Sequence, residues 1–490
     1  MKKKNKGLSA WHLAMMALGS VIGGSFFLGS GVAINAAGPG ILISYILGGV
    51  LVYFILYALS EMTVANPSSG SFMTFASQSF GPGTGFVVGW VYWVGMILSM
   101  SSEATAVSIL LHEWFPNVSI AIGGSIIITG VTLLNLLGAD KLSNLASGLS
   151  AIKLLAILSF IIISFLLVTG IIPGRAAIGI GELAREPFIP TGIGGIAGSM
   201  LLVVFAYAGF EIIGLAASEA DNPTETIPKA ITYTVISLVG FYILSVVAIL
   251  PLIPTAELSE QVSPMVASLN RWGITWAGSI INLVLITAIL SASLASMFGI
   301  ARMLRSLVDD GYAPKWLKDK KDVPHKAIVF SGISMLLGLG FGLLFPRIYL
   351  FLVTASGFSL LFTYAVIMAT HIRFRKRNGC PPDGKCQMPG FPYTSWIGLI
   401  GMIVVILSMP LISDQAPGLI VGLIMVGVFS LIYVGMKAFS SVEKNRPIRV
   451  NNKPYKSKLL TEFSNELTDE NPKQGNNQAC NKECDKCNKK

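Results

Sequence analysis

The sequence predicts an all-α membrane protein of twelve transmembrane helices, and three observations carry that expectation. Of 490 residues, 53% are apolar and only 12% are charged. The mean hydropathy is +0.69. The apolar residues fall in long runs bounded by Gly, Pro and charge rather than in short alternating stretches. A spanning helix takes roughly 20 apolar residues, so this content supplies about a dozen. A soluble domain of this composition would lack the polar surface to cover itself, which sets aside soluble enzymes and nucleic-acid binders. Helices satisfy their own backbone groups in lipid, and these runs are too long for barrel strands.

In chain order the runs place helices at 11–34, 41–65, 84–112, 119–138, 145–172, 195–218, 229–252, 276–308, 326–345, 347–375, 393–412 and 416–439. Residues 1–10 are expected to be a cytoplasmic N-terminus, with Lys2 to Lys6 as an anchor and no small-residue cleavage site after it. Residues 11–375 form a ten-helix core, 376–392 a cytoplasmic loop and 393–439 helices 11 and 12. Residues 440–490, rich in Asn, Lys, Glu and Pro, read as a cytoplasmic disordered tail.

The +10 net charge is a matter of topology. With the N-terminus inside, and the tail left aside, inside segments carry 18 Lys and Arg against 4 outside, as the positive-inside rule requires. Cys380, Cys386, Cys480, Cys484 and Cys487 all fall in these inside segments, where thiols stay reduced, so structural disulfides are not expected. Cys480-x3-Cys484-x2-Cys487 has the spacing of an iron-sulfur motif, but no enzyme domain accompanies it. A thiolate metal site there is the alternative to an unstructured tail. No other metal site and no cofactor is expected.

Two spans break their own pattern. The first crowds Gly19, Gly23, Gly24, Gly29 and Gly31 into one stretch, and the sixth carries Phe205-Ala-Tyr-Ala-Gly-Phe-Glu-Ile-Ile-Gly214. Gly24 aligns with Gly209 and Gly29 with Gly214, and Pro39 and Pro223 follow at matching distances. Two consecutive five-helix units must run in opposite directions, which is the trace of an inverted repeat with discontinuous helices 1 and 6. Close helix packing of small residues is the competing explanation of one Gly-rich span, and the matched pair weakens it.

An interrupted helix presents unpaired N–H groups where its second half starts and unpaired C=O groups where its first half ends. A zwitterion satisfies both kinds. Its carboxylate would take N–H groups of Gly23, Gly24 and Ser25, with the Ser25 hydroxyl as an extra donor. Its ammonium would take C=O groups near Ile22, Phe205, Ala206 and Ala208. Phe210 and Glu211 close the binding segment.

These motifs resemble those of the amino acid-polyamine-organocation superfamily. Glu61-Met-Thr-Val-Ala-Asn-Pro-Ser-Ser-Gly-Ser-Phe72, Gly81-Pro-Gly-Thr-Gly-Phe-Val-Val-Gly-Trp-Val-Tyr-Trp93, Ser218-Glu-Ala-Asp-Asn-Pro-Thr-Glu-Thr-Ile-Pro-Lys-Ala230, Arg302-Met-Leu and Gly311-Tyr-Ala-Pro314 are similar to its amino acid transporter branch. The resemblance runs over about residues 8 to 440. It implies a LeuT-type 5+5 inverted repeat with two extra helices, in the plasma membrane, that imports L-amino acids by alternating access. Two departures stand out. The family's Gly-Thr/Ser-Gly is Gly23-Gly24-Ser25 here, and its frequent Asn-Ser in helix 8 is Leu294-Ala295, which implies a less polar pocket and small or medium neutral substrates.

Three charged residues lie within spans, where each is costly unless paired or facing water. Glu211 follows the sixth-helix break; the family places it in substrate and proton handling, and a carboxylate capping the second half-helix is the structural reading. Lys153 either snorkels to the interface or, as in proton-coupled relatives, stands where sodium sits in others and carries the coupling proton. Glu103 favours cationic substrates or serves as a structural partner. Tyr92 matches a family position near the outer gate, and Tyr207 and Leu294 complete the side-chain pocket. The expected partners are an amino acid, protons and lipid. An amino acid exchanger and a non-transporting sensor are the alternatives, and none of these is an enzyme.

Overall fold

The computed structural model describes residues 9–65, 71–137, 139–171, 176–210, 223–319, 323–380 and 388–440, and the regular elements among them are all helical. The first part of the chain forms α1 (Ala10–Val21), α2 (Gly24–Phe27), α3 (Gly29–Ala37), α4 (Ile41–Ala65), α5 (Ser71–Phe80), α6 (Pro82–His112), α7 (Ile120–Asn135) and α8 (Ala139–Thr169). There follow α9 (Gly192–Ala206), α10 (Pro223–Ile249), α11 (Pro264–Arg271), α12 (Thr275–Asp309), α13 (His325–Gly342), α14 (Ile348–Asn378), α15 (Tyr393–Ser408) and α16 (Ala416–Ser440). Among the described residues nine helices are long and apolar enough to cross a membrane. One of these, Gly24–Ala65, has 42 residues, about twice the length of a crossing. It turns over at Gly38, whose φ of 61° is open to glycine without strain. The apolar helices α7 and α9 are shorter.

The expected boundaries shift where polar residues extend a helix past its apolar run. α8 begins at Ala139 rather than 145, and α10 at Pro223 rather than 229, since proline fits the first turn of a helix. α5 and α11 were not expected. At 10 and 8 residues they are too short to span, and each buries only one face: Phe72, Met73, Phe75 and Ala76 on α5, Met265, Val266 and Leu269 on α11. The tail cysteines Cys480, Cys484 and Cys487 lie outside the described residues.

The centre of the fold is made by α6 and α12 packing on each other, with α14 on α6, α8 on α12 and α3 on α9. Two polar assemblies fasten its ends. At one end, the Glu61 carboxylate of α4 meets Arg375 Nε at 2.8 Å and His371 Nε2 at 3.4 Å, both on α14. It also accepts the Met388 backbone N–H at 3.0 Å. All of these side chains are buried, and the Arg375 guanidinium lies over the Phe391 ring at 4.8 Å.

At the other end, Asn35 Nδ2 donates to the carbonyls of Thr255, Ala256 and Leu258, which holds that segment over α3. Arg347 pairs with Glu260 at 2.9 Å and also with Asp414. Partial burial works against the Arg347 charge, but the hydrogen bonds and charges of Glu260 and Asp414 outweigh it and push its titration up. One expectation is corrected: Cys380 is disulfide-bonded. The chain reverses at Gly379, with φ 66°, and sets Cys380 against Arg375 instead of leaving it as a free loop thiol.

Candidate functional site: two interrupted helices around a cavity

Helix α1 stops at Val21, and a new helix starts at Gly24 after Gly23 in an extended conformation. Glycine costs about 1 kcal/mol against alanine inside a helix, so Gly19, Gly23, Gly24, Gly29 and Gly31 weaken this stretch locally. Gly23 also answers a lack of room. A Cβ there would sit 3.2 Å from Glu103 Oε1 and 3.6 Å from Ala292 Cβ. The first N–H groups of α2 have no partner within the helix, and Gly23 adds no side-chain cap.

Helix α9 stops at Ala206, and residues 207–210 form a turn in which Gly209 takes φ +105°. The break in α1 and the turn after α9 touch. Ser20 Oγ donates to the Gly209 carbonyl at 3.0 Å, and a Cβ on Gly209 would sit 3.1 Å from the Ser20 carbonyl oxygen. Glycine is required here both by its φ and by the approach of the two backbones.

Two charges flank the contact. Lys153 of α8 is wholly buried, and its ammonium donates to the carbonyls of Gly19 and Ile22, the latter at 3.1 Å. It stands at the C-terminal end of α1, where the helix dipole favours a cation, and it does not snorkel to an interface. Glu103 of α6 accepts the Ser293 hydroxyl at 2.5 Å and lines the cavity.

That cavity is narrow, about 70 Å³. Of the residues expected from sequence, it brings together Ser25, Tyr92, Glu103, Phe205 and Ala208. Ile22, Gly23 and Gly24 adjoin it through the interrupted helix. Ala206 turns its carbonyl to the Tyr242 hydroxyl at 2.8 Å, and the Ile22 carbonyl is held by Lys153, so neither is a free acceptor. Phe210 is buried and stacks on Tyr364. Glu211 lies outside the described residues.

Leu294 is buried but does not line the cavity; Ser296 does. Since Ser293 and Ser296 are three apart on one helix, they share a face, and α12 presents hydroxyls to the site rather than the apolar pair 294–295. Tyr92 lies ten residues into α6, nearer the Pro82 end, and packs edge-on against Phe72 of α5 at 4.8 Å. It is a cavity residue.

Tyr207 belongs to an aromatic cluster with Phe26, Tyr45 and Tyr242. Phe26 stacks on Tyr242 at 4.0 Å, and Tyr45 packs on Phe26, Tyr207 and Tyr242. The Tyr207 hydroxyl donates to the Tyr45 carbonyl at 3.0 Å. Tyr349 of α14 was not foreseen: it donates to the Gly24 carbonyl at 3.1 Å, across 325 residues, and no local spacing signals it. Ser296 was accessible in principle through its three-residue step from Ser293.

The profile of the family described as amino acid permease matches residues 12–456. The chain belongs to the amino acid permease family. Three relatives from Bacillus subtilis (strain 168) show how far the likeness extends. An uncharacterized amino acid permease, YtnA, is 34% identical over 443 residues, covering 88% of this chain and 95% of its own. A gamma-aminobutyric acid permease is 32% identical, covering 90% and 95%. A probable threonine/serine transporter, YbxG, is 32% identical, covering 88% and 95%. The permease is thus a multi-pass membrane protein of amino acid transport rather than an enzyme.

Proposed function

We propose that this permease is a secondary active transporter that imports small neutral L-amino acids together with protons, by alternating access. The observation that carries the reading is the contact of the break in α1 with the turn after α9, beside a cavity walled by Ser25, Ser99, Glu103, Ser296 and Ser356. In this reading the chain crosses the membrane twelve times, its termini are cytoplasmic, and its first ten helices form the inverted repeat. The 42 residues of Gly24–Ala65 then complete the first crossing and make the second.

The substrate carboxylate takes the N–H groups of Gly24 and Ser25 and the Ser25 hydroxyl. The ammonium faces Glu103 and the carbonyls of the turn at 207–210. The carbonyls of Ile22, Ala206 and Gly209 are already engaged, which leaves Glu103 as the principal acceptor. Lys153 carries the coupling proton: its ammonium holds the end of α1 through Gly19 and Ile22, and loss of the proton loosens that hold. The narrow, hydroxyl-lined cavity suits serine, threonine or alanine, and the threonine/serine name of one relative agrees with that chemistry.

A second reading, transport of basic amino acids, is favoured by one observation, the Glu103 carboxylate on the cavity wall. Uptake into proteoliposomes under an inward proton gradient separates the two. Labelled serine or threonine should accumulate without sodium and stop with a protonophore. Strong competition by arginine or lysine, with weak competition by alanine, would replace the first reading by the second.

A further inference from the structure

Where α6 begins and α14 and α16 end, a groove of about 530 Å³ runs between the three helices. Its wall carries an apolar strip, Val87 and Val88 of α6, Phe362 of α14, Val426 and Val434 of α16, beside the hydroxyls of Thr84, Ser430 and Tyr433. Its end is basic. Lys437, in the last turn of α16, lines it, and the Arg373 guanidinium lies 5.1 Å over the ring of Phe80, another wall residue. No carboxylate is among the lining residues. Both basic side chains are exposed, and among the described residues neither has an ion-pair partner.

The surroundings decide what fits. α16 turns Leu423, Ile424, Val428, Leu431 and Ile432 outward, as a helix facing acyl chains does, so the groove opens to lipid. Its apolar stretch lies along the spans and its two cations at their ends, the depth of phosphates. A basic pocket between helices at that depth is complementary to an anionic headgroup. A zwitterionic headgroup would bring its own cation to the same place. A second copy of the chain, docked by a two-fold axis through this face, would set Lys437 and Arg373 against their own counterparts.

We propose that this groove binds an anionic phospholipid, one acyl chain along Val87, Phe362 and Val434 and the phosphodiester between Lys437 and Arg373. The site is separate from the cavity but shares its two central helices. Val87 and Val88 lie one turn or more from Tyr92 on α6, and Phe362 lies two residues from Leu360 on α14, Tyr92 and Leu360 lining the cavity. The proposal needs only that the chain is embedded in a bilayer, and it stands whichever substrate is carried.

Native mass spectrometry of the full chain in detergent, with equimolar phosphatidylglycerol and phosphatidylcholine, tests it. Phosphatidylglycerol should be retained roughly thirtyfold over phosphatidylcholine, in line with two basic contacts of about 1 kcal/mol each. Lys437→Gln with Arg373→Gln should erase that preference, and Lys437→Arg with Arg373→Lys should keep it. Both pairs of changes are at exposed positions, and an unchanged melting temperature checks that the fold survives. Millimolar inorganic phosphate should leave the lipid adduct in place, since the groove and not the anion alone supplies the binding. Equal retention of the two lipids, undiminished phosphatidylglycerol in the neutral double variant, displacement by free phosphate, or a dimer joined through α16 would each overturn the assignment.

Discussion

Glu61 and Glu103 are both carboxylates within long helices, yet the fold treats them in opposite ways: Glu61 is fully buried, and Glu103 is partly open to the cavity. Glu61 is met by Arg375 and His371 of α14 and by the Met388 N–H, so two separate segments close on one charge. Glu103 has a serine hydroxyl on one side and the cavity on the other. Its cationic counterpart, Lys153, is spent on backbone carbonyls of α1 and makes no direct ion pair with Glu103. A buried charge answered by an opposite charge fastens segments together. A charge that faces a cavity, with a hydroxyl beside it and its nearest cation hydrogen-bonded elsewhere, keeps the capacity to bind an ion, a proton or a charged ligand.

The comparison breaks most visibly at Lys153. Lys153→Ala should abolish gradient-driven accumulation in proteoliposomes, since nothing is left to take the proton. Lys153→Arg should fail as well, because guanidinium does not deprotonate in this range; wild-type uptake by the Arg variant would reduce Lys153 to a structural anchor. Binding measured by thermal shift with substrate should survive both changes.

The next effect is on stability. Glu61→Ala leaves the Arg375 charge buried and unanswered, and should cost about 3–5 kcal/mol, read as a fall in melting temperature and in yield of folded protein. Glu61→Gln should cost less, since it keeps an acceptor for Arg375 and the Met388 N–H. Glu103→Gln should barely move the melting temperature, by the equivalent of about 1 kcal/mol or less, because the amide oxygen still accepts from Ser293. It should instead change which amino acids compete for uptake. Equal losses of stability at Glu61 and Glu103 would erase the distinction. Tyr242→Phe, which removes only the hydroxyl bound to the Ala206 carbonyl, should cost about 1 kcal/mol and marks the lower end of what thermal unfolding resolves.

The sequence made one side of this comparison readable. Glycines repeated in two corresponding spans mark where helices are interrupted, and Lys153 and Glu103 stand out as charges in apolar runs. The other side depends on partners far apart in the chain. Glu61 lies 310 residues from His371 and 327 from Met388, and local spacing cannot pair them. Helices α5 and α11 escaped for a different reason, since a reading built on span-length apolar runs passes over short helices that bury one face. The pocket face of α12 was missed by phase: 294 and 296 differ by more than half a turn, enough to exchange a leucine for a serine at the cavity wall.

The rings of Phe26, Tyr45, Tyr207 and Tyr242 come from four places: α2, α4, the turn after α9, and α10. Their stacking and the hydroxyls locked onto the Tyr45 and Ala206 carbonyls work like meshed gear teeth. Packed rings of this kind have discrete arrangements rather than a continuous range. A pull of a fraction of an ångström on Gly24, two residues from Phe26, therefore cannot be absorbed by α2 alone. What it disturbs first is the stack of Phe26 on Tyr242, so a change at Gly24 reaches α10, a helix that contributes no residue to the cavity wall.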